Sequence, residues 1–169
     1  MTKPSTPLTV ADPPASLADI VDPERLAVVL DRWQELQRCC ASEAWTAAFV
    51  VACGLADELI ARRLGGMKAV TFLSRFTVLD SRRRQALPLA EWPTRSLVLV
   101  AHDLMLLDDD ARDVAESLPD WREVLAMRDA GSLAPKAPEV VRSVALLQLT
   151  IAGLHANRWL AIERFRSQG

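Results

Sequence analysis

The period of the apolar residues constrains this chain more than any other feature. Leu26, Leu30, Trp33, Leu36 and Cys40 recur at steps of three and four, which lines them along one face of an α-helix. Trp45, Phe49, Ala52, Leu55 and Leu59 repeat the pattern, and so do Val140, Val144, Leu147, Ile151, Leu154, Ile162 and Phe165. No stretch shows the strict alternation of a half-buried strand, and no strand–helix–strand succession appears. Helices with apolar stripes must bury them against one another. The expected fold is therefore all-α: an antiparallel bundle of about five helices, with a long insertion between helices 2 and 3.

Local signals divide these helices. Asp22-Pro23 opens the first, an acceptor side chain followed by proline at the first helical position. Ser42 is expected to cap the second, with Glu43 in its first turn, and Gly65-Gly66 to end it. A third helix, from about Pro93 to Leu107, is apolar nearly all round and so is expected to be central. Asp108, Asp109 and Asp110 start a fourth helix that carries Val114 and Leu118, and Pro119 restarts the chain at Asp120. "AGSLAPKAP" reads as a loop before a last helix from near Glu139 to about Arg166. The segment "MKAVTFLSRFTVLDSRRR", residues 67 to 84, has β-branched and aromatic residues without a clean period. It reads either as a short helix or as an irregular excursion.

With 169 residues, half of them apolar and a quarter charged, the chain suits one globular domain with a real core. The first sixteen residues, "MTKPSTPLTVADPPAS", hold four prolines among polar residues. They are expected to form a disordered tail, 1–16, ahead of a domain at 17–169. They lack the basic start and apolar run of a signal peptide. The apolar stretches look too short and too broken by charge to span a bilayer, so no membrane partner is expected. Three cysteines, Cys39, Cys40 and Cys53, argue against a disulfide framework and for a reducing cytoplasm. With two histidines, no metal site and no cofactor is expected.

The net charge of −2 gives no general nucleic-acid character. Charge is uneven only between residues 62 and 95. There Arg62, Arg63, Lys68, Arg75, Arg82, Arg83, Arg84 and Arg95 face only Asp80 and Glu91. The first seven of these cations are the candidate contacts for a phosphate-bearing partner, with a solvated loop as the plainer reading of Arg82-Arg83-Arg84. The five tryptophans, at 33, 45, 92, 121 and 159, sit on helical stripes or at helix ends. That suits packing better than base stacking. Asp108-Asp109-Asp110 lacks the alternate spacing and glycine of a calcium loop, and Cys53 reads as a small core residue. His155 reads as a boundary residue of the last helix.

Two segments together, "ASEAWTAAFVVACGLADELIARRL" and "SLVLVAHDLMLLDDDARDVAESLPDWREVL", are similar to the corresponding stretches of small bacterial HEPN-like proteins. In that superfamily an arginine, a polar neighbour and a histidine a few positions on meet at a dimer interface and cleave RNA without metal. Arginine can hold the phosphate, and histidine can move the proton near neutral pH. Carried over, Arg122 matches the arginine, Glu123 stands at the polar position, and Ala126 or Met127 stands where the histidine belongs. The resemblance thus implies the family's catalytic segment without its catalytic pair. The function it implies is a non-catalytic helical subunit or adaptor, in a bacterial defence setting, which binds itself, another protein or RNA.

Two alternatives stand beside it. One is an active endoribonuclease built on Arg95 and His102, seven positions apart on one helix face. Against it, a histidine near a helix C-terminus is favoured by the helix dipole without any catalytic use. The other is a small helical subunit of a nucleoprotein complex, touching nucleic acid through residues 62 to 95.

Overall fold

A computed structural model describes residues 8–66, 78, 86–126 and 134–158. Its helices are α1 (Pro23–Ala41), α2 (Trp45–Gly66), α3 (Thr94–Asp103), α4 (Asp109–Glu116), α5 (Trp121–Ala126) and α6 (Ala137–Ala156), with short 3₁₀ turns at Ala15–Asp19 and Leu89–Glu91. The protein is an all-α helical bundle, and no strand occurs among the described residues. The chain from 67 to 93 separates α2 from α3, where the insertion was expected.

The hub is α2, not the third helix as its composition suggested. α6, α1, α3 and α5 all pack on α2. Phe49, Ala52, Leu55, Ala56, Ile60 and Leu64 of α2 are each fully buried, which explains a helix that is apolar on more than one side. α3 is shorter than expected and ends at Asp103, with Leu99 partly in solvent. α1 and α2 form an antiparallel pair, fixed at one end by Arg62 on Asp22. α3 and α4 form another, in which Arg95 faces Glu116 and His102 faces Asp109. The C-terminal ends of α2 and α6 lie side by side, where Arg63 donates to the Arg158 carbonyl at 2.7 Å.

The caps at Asp22 and Asp108 form as expected: each carboxylate accepts a backbone N–H three residues on, from Arg25 and Ala111. Ser42 does not cap α2. Its hydroxyl bonds back to the carbonyls of Arg38 and Cys39 and closes α1. Glu43 takes a left-handed φ of 56° in the turn, so α2 starts two residues later, at Trp45.

The boundary expected at residue 17 also shifts. Val10 is buried, Leu8 packs against the core, and the Trp33 indole donates to the Ala11 carbonyl at 2.9 Å. Gln37 donates to Val10 and Ala11 as well. Residues 8–16 thus belong to the domain, because a buried tryptophan on α1 needs an acceptor and this strap supplies it. α6 is, by length and composition, apolar enough to cross a membrane, contrary to the reading of the sequence as too broken by charge. Its apolar face, with Val140, Leu147, Ile151 and Leu154, is buried inside the bundle.

Candidate functional site

The stripe Cys53, Asp57, Ile60, Leu64 runs along one buried line of α2. A carboxylate at the second place has to be satisfied inside the core. α5 supplies the partners. The Trp121 indole donates to Asp57 Oδ2 at 2.8 Å, and Arg122 Nη1 donates to the same oxygen at 2.9 Å. The Asp57 side chain is 6% exposed and that of Arg122 is 28% exposed. Burial pushes the Asp57 pKa up, while the donors Trp121, Thr94 and Arg122 pull it down. Oδ1 and the Thr94 hydroxyl are both buried and lie outside ideal hydrogen-bond geometry. Thr94 nevertheless contributes to holding the charge. α5 spans only six residues, too few to be stable as an isolated helix. Its docking onto Asp57 is what holds it.

Arg122 is engaged on three sides. Besides Asp57 it donates to the Ala90 carbonyl at 3.2 Å, and its Cζ lies 4.4 Å from the centroid of the Trp121 ring. Asp120 accepts the Arg122 backbone N–H at 2.9 Å and starts the helix. Glu123 and Ala126 are exposed on the outer face of α5, and Met127 lies outside the described residues. Glu123 and Ala126 put no histidine beside Arg122, and the Glu123 carboxylate would repel a phosphate there.

Around this anchor lies a groove of about 590 Å³. Its floor is the outer face of α2 with Gly54, Ala61 and Gly65; α1 makes one wall, and Leu89, Ala90 and α5 make the other. Three arginines on its rim share a single carboxylate. Arg32 donates to Glu58 Oε2 at 3.0 Å, and Arg25 and Arg62 lie 3.7 and 3.5 Å from Oε1. Arg62 also donates to Asp22 at 3.0 Å. The three guanidinium side chains are 40–48% exposed, so each pair is worth only about 0.2–1 kcal/mol. With Arg122, four cations line the groove against Asp57 and Glu58.

The other sequence candidates fall elsewhere. Arg95 and His102 do share a face of α3, but each points at its own carboxylate on α4. Arg95 Nη2 lies 3.9 Å from Glu116, and His102 Nε2 lies 3.0 Å from Asp109. Together they form an interhelical clasp between α3 and α4. Arg62 joins the groove, whereas Arg63 turns toward the end of α6 and is half-buried, which lowers its pKa. Arg62 is paired with Asp22 and Glu58, and Arg63 with the Arg158 carbonyl. Lys68, Arg75, Arg82, Arg83 and Arg84 lie outside the described residues. His155 bonds Asp19 at 2.8 Å and ties α6 to the first 3₁₀ turn, a boundary role as read. Cys53 is buried and its thiol pKa is pushed far up by burial, as suits a core residue.

Asp57, Glu58, Arg25 and Arg32 went unnoticed in the sequence. The signal for Asp57 was present: a lone acid in register with Cys53, Ile60 and Leu64 on an apolar line. Arg25 and Arg32 gave none, because a cation seven residues from another on a helix surface is ordinary. No family model, no curated protein and no solved structure matches this chain.

Proposed function

We propose that this chain is a non-catalytic helical interaction module, of the HEPN-like kind that its two segments resemble, which works by binding another protein chain. One observation carries the reading: the arginine that would hold a substrate phosphate is consumed in the fold. Arg122 is bonded to buried Asp57, to Ala90 and to the Trp121 face. A guanidinium so engaged cannot turn to a scissile phosphate without uncovering a buried carboxylate, which is strongly unfavourable. General acid–base help is worth about 10²- to 10⁴-fold, and Glu123 and Ala126 put no histidine beside it. The arginine-rimmed groove beside it supports binding as the alternative use of the same surface.

The test is incubation of purified protein with structured and single-stranded RNA in chelator, alongside light scattering and recovery of partners from cells. The expected result is no cleavage, together with a stable complex. Cleavage that disappears on His102→Ala with the fold intact would replace this reading by the ribonuclease one. A strict monomer with no recovered partner would remove the adaptor reading.

A further inference from the structure

Three features of the groove suit an occupant. The first is its charge. Glu58 is one carboxylate shared among three half-exposed arginines, and Arg25 reaches it only at 3.7 Å, beyond a hydrogen bond. The three guanidiniums stay half-exposed, and Glu58 Oε1 is buried without a hydrogen bond among the described residues. The second is its shape. From Gly54 to Gly65 the floor runs eleven residues of helix, about 16 Å. Its width is set by α1 on one side and by Leu89 and Trp121 on the other. That is the length of three helical turns.

The third is Gly54. It stands in the middle of α2, where alanine would favour the helix more. Yet among the described residues no atom lies within 4 Å of the place its Cβ would take. No described neighbour requires glycine there, and its missing side chain keeps the floor low.

We infer that the groove is a docking site for an acidic amphipathic helix of a partner protein, whose carboxylates take over Arg25 and Arg32 from Glu58. Resting on the interaction-module reading, it names the partner's chemistry. Arg25 and Arg32 are seven residues apart on one helix, about 10 Å along its axis. A helix lying beside α1 matches them with acidic residues at the same spacing. Its apolar residues then fall on the floor between Gly54 and Ala61 and against Leu89, the groove mode of helix recognition.

Nucleic acid fits less well. Asp57 and Glu58 sit among the arginines, where a continuous phosphate backbone would meet them. The aromatic in the groove's lining, Trp121, already carries the Arg122 guanidinium on its ring, so it is not free for a base to stack on.

Glu58 makes the test specific. It acts as an internal stand-in for the partner's carboxylates, so neutralising it frees the rim. The probe is a labelled, capped synthetic helix of about 17 residues, with Glu at two positions seven apart and Leu at the positions between that face the floor. Fluorescence anisotropy with the full chain reads its binding. A second probe, with Lys in place of Glu, and an oligouridylate serve as comparisons.

The acidic helix should bind, and more weakly as salt is raised. Glu58→Gln should tighten it, whereas Arg25→Glu with Arg32→Glu should weaken it at least about tenfold. Gly54→Leu, which fills the floor without touching a charge, should also weaken it. A tightened complex cannot come from a damaged fold, so the gain at Glu58→Gln keeps the test sound if the arginine variants unfold.

The inference is overturned by any of four results. These are no binding of the acidic helix at about 1 mM, equal binding of the Lys helix, displacement by oligouridylate at equimolar amounts, or no response to Gly54→Leu and Glu58→Gln. Partner recovery with the unmodified chain is measured separately. A groove that fails while a partner is still recovered overturns this inference and leaves the interaction-module reading intact.

Discussion

Two glycines in two helices should respond in opposite directions to the same change. In mid-helix, alanine is favoured over glycine by about 1 kcal/mol, through the backbone entropy that glycine loses. At Gly54 no atom of the described residues stands within 4 Å of the added carbon, so Gly54→Ala should collect most of that gain. At Gly153 the same carbon would lie 2.8 Å from the Leu106 carbonyl oxygen and 2.9 Å from Leu107 Cδ2. The oxygen belongs to the backbone and already accepts from Asn157 Nδ2 at 3.3 Å. It can move only if α6 withdraws from the turn after α3. Overpacking of this kind costs about 1–3 kcal/mol. Less the helical gain of about 1 kcal/mol, Gly153→Ala should be neutral to about 2 kcal/mol destabilising.

The two variants should therefore differ by about 1–3 kcal/mol. That is a separation of roughly 2–12 °C in Tm at about 2–4 °C per kcal/mol for a chain of this length. Urea unfolding followed by circular dichroism gives both midpoints, and equal slopes show that the unfolded state is unchanged. If Gly153→Ala proves as stabilising as Gly54→Ala, α6 does not approach the Leu106–Leu107 turn as closely as described.

Two further outcomes follow from the core and the strap. Burial is the largest influence on Asp57 and raises its pKa above the ordinary 3.8. The folded chain therefore holds this proton more tightly than the unfolded chain, and charging the group removes stability as pH rises from the ordinary carboxylate range through the raised value. The stability of the unmodified protein relative to Asp57→Asn should fall as pH increases over that window. A rise instead, measured by urea midpoints at several pH values, would mean that the Arg122 pair outweighs burial. Removal of residues 1–12 exposes the site of buried Val10 and leaves the Trp33 indole without the Ala11 carbonyl. It should cost about 2–4 kcal/mol from lost burial and one orphaned donor, and an unchanged thermal midpoint would show the strap to be loose.

Helix existence was legible because the stripes are long. Leu26 to Cys40 and Val140 to Leu154 each repeat over several turns, and no tertiary contact is needed to read them. Boundaries failed where a local choice was decided by a neighbour. Ser42 could cap the helix that follows or close the one before, and the left-handed turn at Glu43 settles it for α1. The centrality of α2 over α3 was hidden because both are apolar. What distinguishes them is how many helices reach each one, which composition does not record. The strap at residues 8–12 lies between prolines at 7 and 13 and is too short to show a period, yet one valine and two carbonyls suffice to fasten it to Trp33 and Gln37.

The charged residues show the sharper limit. Read along the chain, Arg62 and Arg63 look alike, two cations opening a basic stretch. On a helix they point about 100° apart, so one joins the groove rim while its neighbour turns to the end of α6. Arg122 and Asp57 are 65 positions apart, and no local pattern joins them. Their pairing nevertheless decides what the surface can do. Had Arg122 been unpaired, its guanidinium would be available to a phosphate. Bonded to a buried carboxylate and stacked on Trp121, it instead fixes α5 against α2 and so forms one wall of the groove. The half-exposed cations of the groove are Arg25, Arg32 and Arg62, which share Glu58, with Arg62 also on Asp22. A cationic rim over an apolar floor is the arrangement on which the proposed docking of a helix that brings its own acids rests.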